Sequence, residues 1–381
     1  MKIEITSASQ QLELIAVQLA TRLTELGFLA STGTSAKDPE ENTLVELIPG
    51  KEDLIDYREG KFLHRLGVAD LPSLLERTLR VIPLDFERLP LLIEGESKQV
   101  RLWTDKVVVT RFKPTVYSYT MNRNGEAPGT EVVRLKFSAE LFRRMARLDT
   151  VSRTASRTAS RTASRGFQNG VEFTTAFLAE RHTPDGPLLV QRKVESSNLE
   201  VRVKRYHIGS PLHRYLYAER YPTVQQTGEP LRRWTRLDYP VVCFDWRNPL
   251  QDEAGHRLAD EPLSDDYAGI WMENVAYAKT LVRQTFLWLE ELFAKGGVCL
   301  VDFCLLIDRT GRIIYGEISP DCMRVRLDLI NPARAEEGAK DVWRAGGSPE
   351  QLYHHYEELY QRIFETSRYE APVEKLVLST I

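Results

Sequence analysis

The sequence predicts a mixed α/β, or α+β, protein on three observations: apolar residues at helical spacing near the N-terminus, strand-like composition from about residue 98, and two later helical stretches bracketing an apolar hairpin. In "SASQQLELIAVQLATRLTELGFLAS", Leu12, Ile15, Leu19, Leu23 and Leu26 share one helical face, which a packed partner should bury. "ADLPSLLERTLRVIPLDFERLPLLI" predicts a second, short helix that ends near its prolines, because proline supplies no backbone N–H. "KQVRLWTDKVVVTRFK" then changes to strand-like composition, which places a boundary near residue 90. From there a strand-rich portion extends to about residue 208. A mixed portion follows, with helices predicted at Tyr267 to Ala294 and Pro349 to Thr366 on either side of a hairpin over 298–316.

Length and composition bound what such a chain does. At 381 residues it exceeds what one core usually organises, so two domains, or one domain with a large extension, are expected. Hydrophobic residues make up 42%, charged residues 28%, and the formal charge is -3, a balance that gives no global attraction to nucleic acid or an anionic membrane. Cys243, Cys299, Cys304 and Cys322 form neither a CxxC pair nor a disulfide scaffold and read as reduced thiols. "MKIEITSASQQLELIAVQLATRL" is interrupted too often for a signal-peptide core, and no run reaches the about 18 apolar residues that would span a membrane, so a cytoplasmic protein is expected. The repeat "SRTASRTASRTASR" at 152–165 offers no large apolar side chain and reads as a flexible surface insertion carrying Arg153, Arg157, Arg161 and Arg165. His354 and His355 lie in "PEQLYHHYEELYQRIF", whose periodicity an amphipathic helix explains without a metal.

Charge concentrates where the predicted hairpin ends. "YGEISPDCMRVR" places Glu317, Asp321, Arg324 and Arg326 within ten positions, a pattern that suits either a ligand site at a strand end or a solvated rim. "VRVKRYHIGSPLHR" couples a basic strand to a Gly-Ser turn, and such a turn exposes backbone N–H groups that an anion can use.

Five segments in one order then carry a family resemblance. "LLIEGESKQV" at 91–100, "LEVRVKRYHIGSPLHRY" at 199–215, "LADEPLSDDYA" at 258–268, "LVDFCLLIDRTGRIIYGEISPDCMR" at 300–324 and "KDVWR" at 340–344 together resemble the phosphoribosylaminoimidazole succinocarboxamide synthetase (SAICAR synthetase) family. The resemblance covers roughly residues 90–365 and leaves out the N-terminal region and the TASR repeat. It implies a two-domain ligase fold with a central cleft: an extension over 1–90, a nucleotide-binding portion over 91–208 and a substrate-binding portion over 209–381. It implies an ATP- and magnesium-dependent enzyme of purine biosynthesis that joins aspartate to a carboxylated imidazole ribonucleotide through an acyl phosphate. A regulatory nucleotide-binding protein, or an enzyme with ATP-independent chemistry, is the alternative. The implied partners are a nucleotide and an amino acid, with no specific nucleic acid and no membrane; association of chains into an oligomer is left open.

The resemblance also assigns residues. Lys204, Gly209 and Ser210, then Arg324, Lys340 and Arg344, are implied to hold the substrate phosphate; Gly95 and Lys98 the ATP phosphates; Asp302 and Glu317 a metal; Lys98, Glu317 and Asp321 the catalytic work. Departures from the family pattern cluster around the metal. Cys304 stands where relatives carry lysine, Leu306 where they carry a metal-binding glutamate, and Gly316 where they carry an acidic ligand. Thr130, Arg134 and Leu135 replace a lysine and paired asparagines of a substrate segment, and Glu96 replaces a lysine beside Gly95.

Overall fold

The computed structural model describes residues 2–7, 10–32, 42–48, 53–58, 61–67, 71–118, 123–155, 173–184, 186–209, 231–249, 251–256, 258–336 and 338–365. They divide into two compact units, one formed by 1–113 with 176–194, the other by 114–175 with 195–381.

The first unit opens with β1 (Lys2–Ser7), α1 (Gln10–Glu25), β2 (Leu29–Thr32), β3 (Asn42–Ile48), β4 (Leu54–Arg58), β5 (Lys61–Gly67) and α2 (Leu71–Val81). Their sheet has the order β2-β1-β3-β5-β4, parallel except for the β4–β5 hairpin. The helical face read from sequence is the buried one: Leu12, Leu19, Leu23 and Leu26 join Ile3, Ile5, Val45 and Leu47 in the core. After β6 (Leu91–Glu94), β7 (Lys98–Thr104) and β8 (Val107–Phe112), the chain leaves this unit. It builds β9 (Thr115–Ser118), β10 (Arg123–Glu126) and α3 (Thr130–Ala155), then returns as β11 (Phe177–Thr183) and β12 (Gly186–Arg192). The second sheet of the first unit is antiparallel, ordered β11-β12-β8-β7-β6, and its Val107, Val109, Leu188 and Val190 share the core that Ile3 and Leu23 belong to.

The stretch expected to be strand-rich therefore also contains a helix of 26 residues, α3. Val133, Phe137, Leu141, Phe142 and Met145 recur at helical spacing and are buried. Ser152 to Ala155 of the repeat close this helix, which corrects the reading of the repeat as loop from its first residue; the rest of the repeat lies outside the described residues.

The second unit is organised around β13 (Ser196–Tyr206), β14 (Arg236–Trp246), β15 (Glu261–Leu263), α4 (Asp265–Trp271), α5 (Val275–Lys295), β16 (Cys299–Asp308), β17 (Ile314–Tyr315), β18 (Met323–Arg326), α6 (Asp341–Arg344) and α7 (Pro349–Phe364). The sheet order is β15-β14-β13-β16-β17, with β18 pairing the other half of β16. Alternation sends Val201, Val203, Phe244, Phe303 and Leu305 to one buried face. There α5 packs its own buried stripe of Ala278, Leu281, Val282, Phe286 and Leu289, with the Phe286 and Phe303 rings 5.7 Å apart. Burying side chains of this size contributes about 1.5–3 kcal/mol each, enough to fix the register and hence which residues face the other side.

The single helix expected from Tyr267 to Ala294 is two. Between α4 and α5, the Glu273 N–H donates to the Arg309 carbonyl at 2.9 Å and the Asn274 side chain to the Thr310 carbonyl at 2.9 Å, so the turn after β16 holds the break open. On the far side of the unit, the β9–β10 ribbon is fastened to α6 by Arg123. Its guanidinium donates to the Trp343 and Gly347 carbonyls at 2.8 and 2.9 Å and lies 3.6 Å from the centre of the Trp343 ring. That contact matters because α6 carries part of the candidate site.

Candidate functional site

The face of the second-unit sheet opposite α5 is polar, and its register sets side chains in rungs. Lys204 on β13 lies opposite Asp302 on β16, which in turn lies opposite Arg324 on β18; one rung along, Arg202 faces Cys304, and beyond that Glu200 faces Leu306. In the first rung, Lys204 Nζ donates to Asp302 Oδ2 at 2.6 Å and Arg324 Nη1 to the same oxygen at 2.8 Å. Burial alone would raise the Asp302 carboxyl, but Arg324 and Lys204 outweigh it and hold it down at about 2. Burial lowers the Lys204 ammonium, with Asp302 acting against that shift.

Arg324 reaches onward to Asp341 at the start of α6, donating from Nε to Oδ2 at 3.0 Å. Arg326 donates to the same oxygen at 2.8 Å and Arg344 to Oδ1 at 2.5 Å, so one buried carboxylate gathers three guanidinium groups. Next to it, Lys340 Nζ pairs with Asp321 Oδ2 at 3.1 Å while the Tyr356 hydroxyl of α7 donates to Asp321 Oδ1 at 3.1 Å. Asp321 sits in the short 3-10 turn Pro320–Cys322, which Ser319 caps by accepting from the Asp321 N–H. Gly209 closes the group: its φ of +74° disfavours any other residue, and a Cβ there would stand 2.5 Å from Arg324 Nη1 and push the guanidinium aside.

The structure thus brings together Lys204, Gly209, Asp302, Asp321, Arg324, Lys340 and Arg344. Ser210 lies outside the described residues. Gly95 and Lys98 belong to the first unit, where the Gly95 N–H donates to the Lys98 carbonyl at 2.9 Å in a tight turn and Lys98 Nζ stands 5.6 Å from the centre of the Phe112 ring.

Glu317 is engaged differently from a free metal ligand. Arg134 of α3 forks onto it, Nε to Oε1 at 3.1 Å and Nη2 to Oε2 at 2.9 Å, with both side chains 1% exposed, and the Ser319 hydroxyl donates to Oε1 as well. Leu306 and Gly316 meet each other: a Cβ at Gly316 would lie 3.3 Å from Leu306 Cδ1, and Gly316 has a φ of +77° that disfavours any other residue. The space between the two departed ligand positions is filled by the Leu306 side chain. Among the described residues, no three His, Cys, Asp or Glu side chains group in a way that suits a metal ion. Leu306 and Gly316 bring no oxygen donor to a metal, and the Asp302 and Glu317 carboxylates are both engaged by cations.

The sequence marks Arg134 only as a departure, Arg326 only as part of the charged run after the hairpin and Asp341 only within KDVWR, and it does not mark Tyr356 as a member of the group. Charged residues alternating through the apolar strands "LEVRVKRY" and "LVDFCLLID" are the available signal for the rungs. Nothing local identifies Arg134 as the partner of a glutamate 183 positions away.

The family model described as SAICAR synthetase matches residues 91–362. The bifunctional cordycepin biosynthesis cluster protein 3 of Cordyceps militaris is 26% identical over 302 residues, covering 68% of this chain and 31% of that protein, so the chain spans about a third of its length. The phosphoribosylaminoimidazole-succinocarboxamide synthase of Thermococcus sibiricus is 25% identical over 279 residues, covering 71% of this chain and 97% of that one. A solved structure titled SAICAR synthetase (Type-2) in complex with ADP matches with a TM-score of 0.52 at 21% identity, over 72% of this chain and 97% of that chain, which shows a shared mixed α/β fold.

Two consequences are measurable. Glu317→Gln should cost about 3–5 kcal/mol in chemical denaturation, because it leaves Arg134 charged and buried without its partner; a cost below about 1 kcal/mol would contradict the buried pair. For Asp302, a carboxyl depressed in the fold stabilises it fully above the unfolded value near about 3.9, and that contribution is lost as pH falls through about 2. Asp302→Asn should therefore lack this part of the acid limb of stability, and superimposable acid limbs would refute the assignment.

Proposed function

Because the chain belongs to the SAICAR synthetase family, we propose that it is a ligase of that kind, acting on a carboxylated imidazole ribonucleotide or a related purine-precursor nucleotide. The observation that carries this reading is the charge balance of the polar group. Among the described residues, Lys204, Arg324, Arg326, Lys340 and Arg344 are five cations set against three carboxylates, Asp302, Asp321 and Asp341. The group keeps a surplus of about two positive charges in a half-buried setting, which a phosphate dianion balances.

In the proposed reaction, the substrate carboxylate takes the γ-phosphoryl group of ATP as ADP leaves, and the aspartate amine then attacks the acyl carbon and expels phosphate. Lys204 and Arg324, held by Asp302, bind and orient the ribonucleotide phosphate at one end of the sheet face. Lys340 and Arg344 add charge beside it, and Asp321, fixed by Tyr356, orients Lys340. Gly95 and Lys98 are the proposed contacts to ATP phosphates. No step is assigned to a protein-bound magnesium, since Leu306 and Gly316 supply no oxygen and Glu317 is committed to Arg134.

That same feature favours a second reading, in which the nucleotide is bound and transformed without ATP. Incubation with carboxyaminoimidazole ribonucleotide, aspartate, ATP and magnesium, omitting each in turn, separates the two: a product that needs all four supports the ligase, and turnover of the ribonucleotide without ATP supports the second reading. Under both, Arg324→Ala should weaken ribonucleotide binding by about 1.5–3 kcal/mol in calorimetric titration, and an intact protein that binds no ribonucleotide would overturn both.

A further inference from the structure

Among the described residues, only Asn198, Trp234 and Ala339 take a positive φ without being glycine. Asparagine and alanine are small, but Trp234, at a φ of +67°, is a bulky residue in the left-handed region and a genuine outlier there. Its backbone is pinned in place. The Trp234 N–H donates to the His207 carbonyl at 3.0 Å, the His207 N–H to the Thr235 carbonyl at 2.9 Å, and the Arg232 N–H to Thr235 Oγ1 at 2.8 Å. Strain of this kind costs free energy and persists only where the surroundings over-determine it, most often beside a ligand site.

The strained backbone aims the indole at one side chain. The centre of its ring lies 5.2 Å from Arg326 Cζ, and it meets the Tyr206 ring edge-on with centroids 6.1 Å apart. Beneath it lies a small apolar cluster of four buried residues, Tyr206, Ile208, Cys299 and Val301. Arg326 is itself buried and donates from Nη1 to Asp341 Oδ2 at 2.8 Å, the same oxygen that Arg324 Nε uses at 3.0 Å. Two guanidinium groups on one oxygen repel each other, so each needs a second hold. Asp302 supplies it to Arg324 through Nη1, and the Trp234 ring supplies it to Arg326. This division leaves Arg324 Nη2 without a hydrogen-bond partner among the described residues, as a donor that an anion can use. An Arg326 that swung away would leave Asp341 Oδ2 to Arg324 alone and let that guanidinium turn inward.

Resting on the anion-site reading above, we infer that Trp234 is a positioning residue for the phosphate site. Its indole holds Arg326 on Asp341 and thereby keeps Arg324 turned toward a bound phosphate monoester.

The test is calorimetric titration of the full chain and its variants with ribose 5-phosphate, with urea unfolding followed in parallel. Trp234→Gly removes the ring and relieves the backbone, whereas Trp234→Phe keeps an aromatic ring in the same conformation. Affinity should fall about tenfold in Trp234→Gly and stay within about threefold of the intact protein in Trp234→Phe. The urea midpoint of Trp234→Gly should stay close to that of the intact protein, since relief of strain offsets the lost packing. Joined to Arg326→Gln, Trp234→Gly should add less than about twofold to the loss that Arg326→Gln causes alone, because the ring acts through that guanidinium. Unchanged affinity in Trp234→Gly overturns the inference, as does a phenylalanine variant as weak as the glycine one. Losses that multiply in the double variant overturn it as well. A Trp234→Gly protein whose urea midpoint drops along with its affinity assigns the ring a structural role and overturns it too. An intact protein that binds no ribose 5-phosphate defeats the anion-site reading itself, and this inference with it.

Discussion

The second unit depends on carboxylates that each hold more than one cation. Asp302 binds Lys204 and Arg324, and Asp341 binds Arg324, Arg326 and Arg344, so Arg324 joins two carboxylates into one lattice. Burying any of these ions alone would cost several kcal/mol, and only the mutual arrangement makes the burial tolerable. The lattice exists because the register of β13, β16 and β18 delivers the three residues of one rung to one face, and that register is fixed by the apolar residues packed against α5 on the other. A core contact such as Phe286 on Phe303 is therefore also a constraint on the site. Among these residues cations exceed carboxylates, so the lattice closes as a network of ion pairs and keeps a surplus of positive charge.

The departures from the family pattern are physically linked. Leu306 occupies the space beside Gly316, so the apolar side chain and the missing Cβ accommodate one another. Glu317, which remains, is neutralised by Arg134, and Arg134 itself is a departure. Removing either partner leaves the other's buried charge under-compensated, with Asp321 the further negative neighbour of Arg134. The two pairs convert a patch of acidic character into one apolar contact and one closed ion pair. The Lys204–Asp302–Arg324 rung is held by ion pairs other than these two.

Much of this is legible in the sequence, and the remainder is hidden for identifiable reasons. The helical stripe from Leu12 to Leu26 and the hairpin beginning at Cys299 follow from periodicity, a property of neighbours in the chain. The rung of Lys204 and Asp302 is half visible: alternation marks both as facing away from the apolar side, but only pairing shows that they face each other. α3 escapes notice because Val132 and Val133 sit near its start, after strands of similar composition, and β-branched residues weaken the local helical signal. The break between α4 and α5 is made by the turn at Arg309 and Thr310, which lies more than thirty positions away and leaves no mark on the helix itself. Arg134 and Tyr356 are invisible as site residues for the same reason, since their partners Glu317 and Asp321 are tertiary neighbours.

The lattice around Asp302 and Asp341 is proposed to be an anion site, on the strength of its surplus of positive charge. The most direct test of this is a crystal structure of the full chain with ribose 5-phosphate. The phosphate should lie against the Arg324 guanidinium within hydrogen-bonding distance, beside the Gly209 backbone and in reach of Lys340 or Arg344, with the Asp302 and Asp341 pairs intact. A phosphate seated elsewhere on the protein, with Arg324 making only its two carboxylate contacts, would show that the lattice is not the anion site.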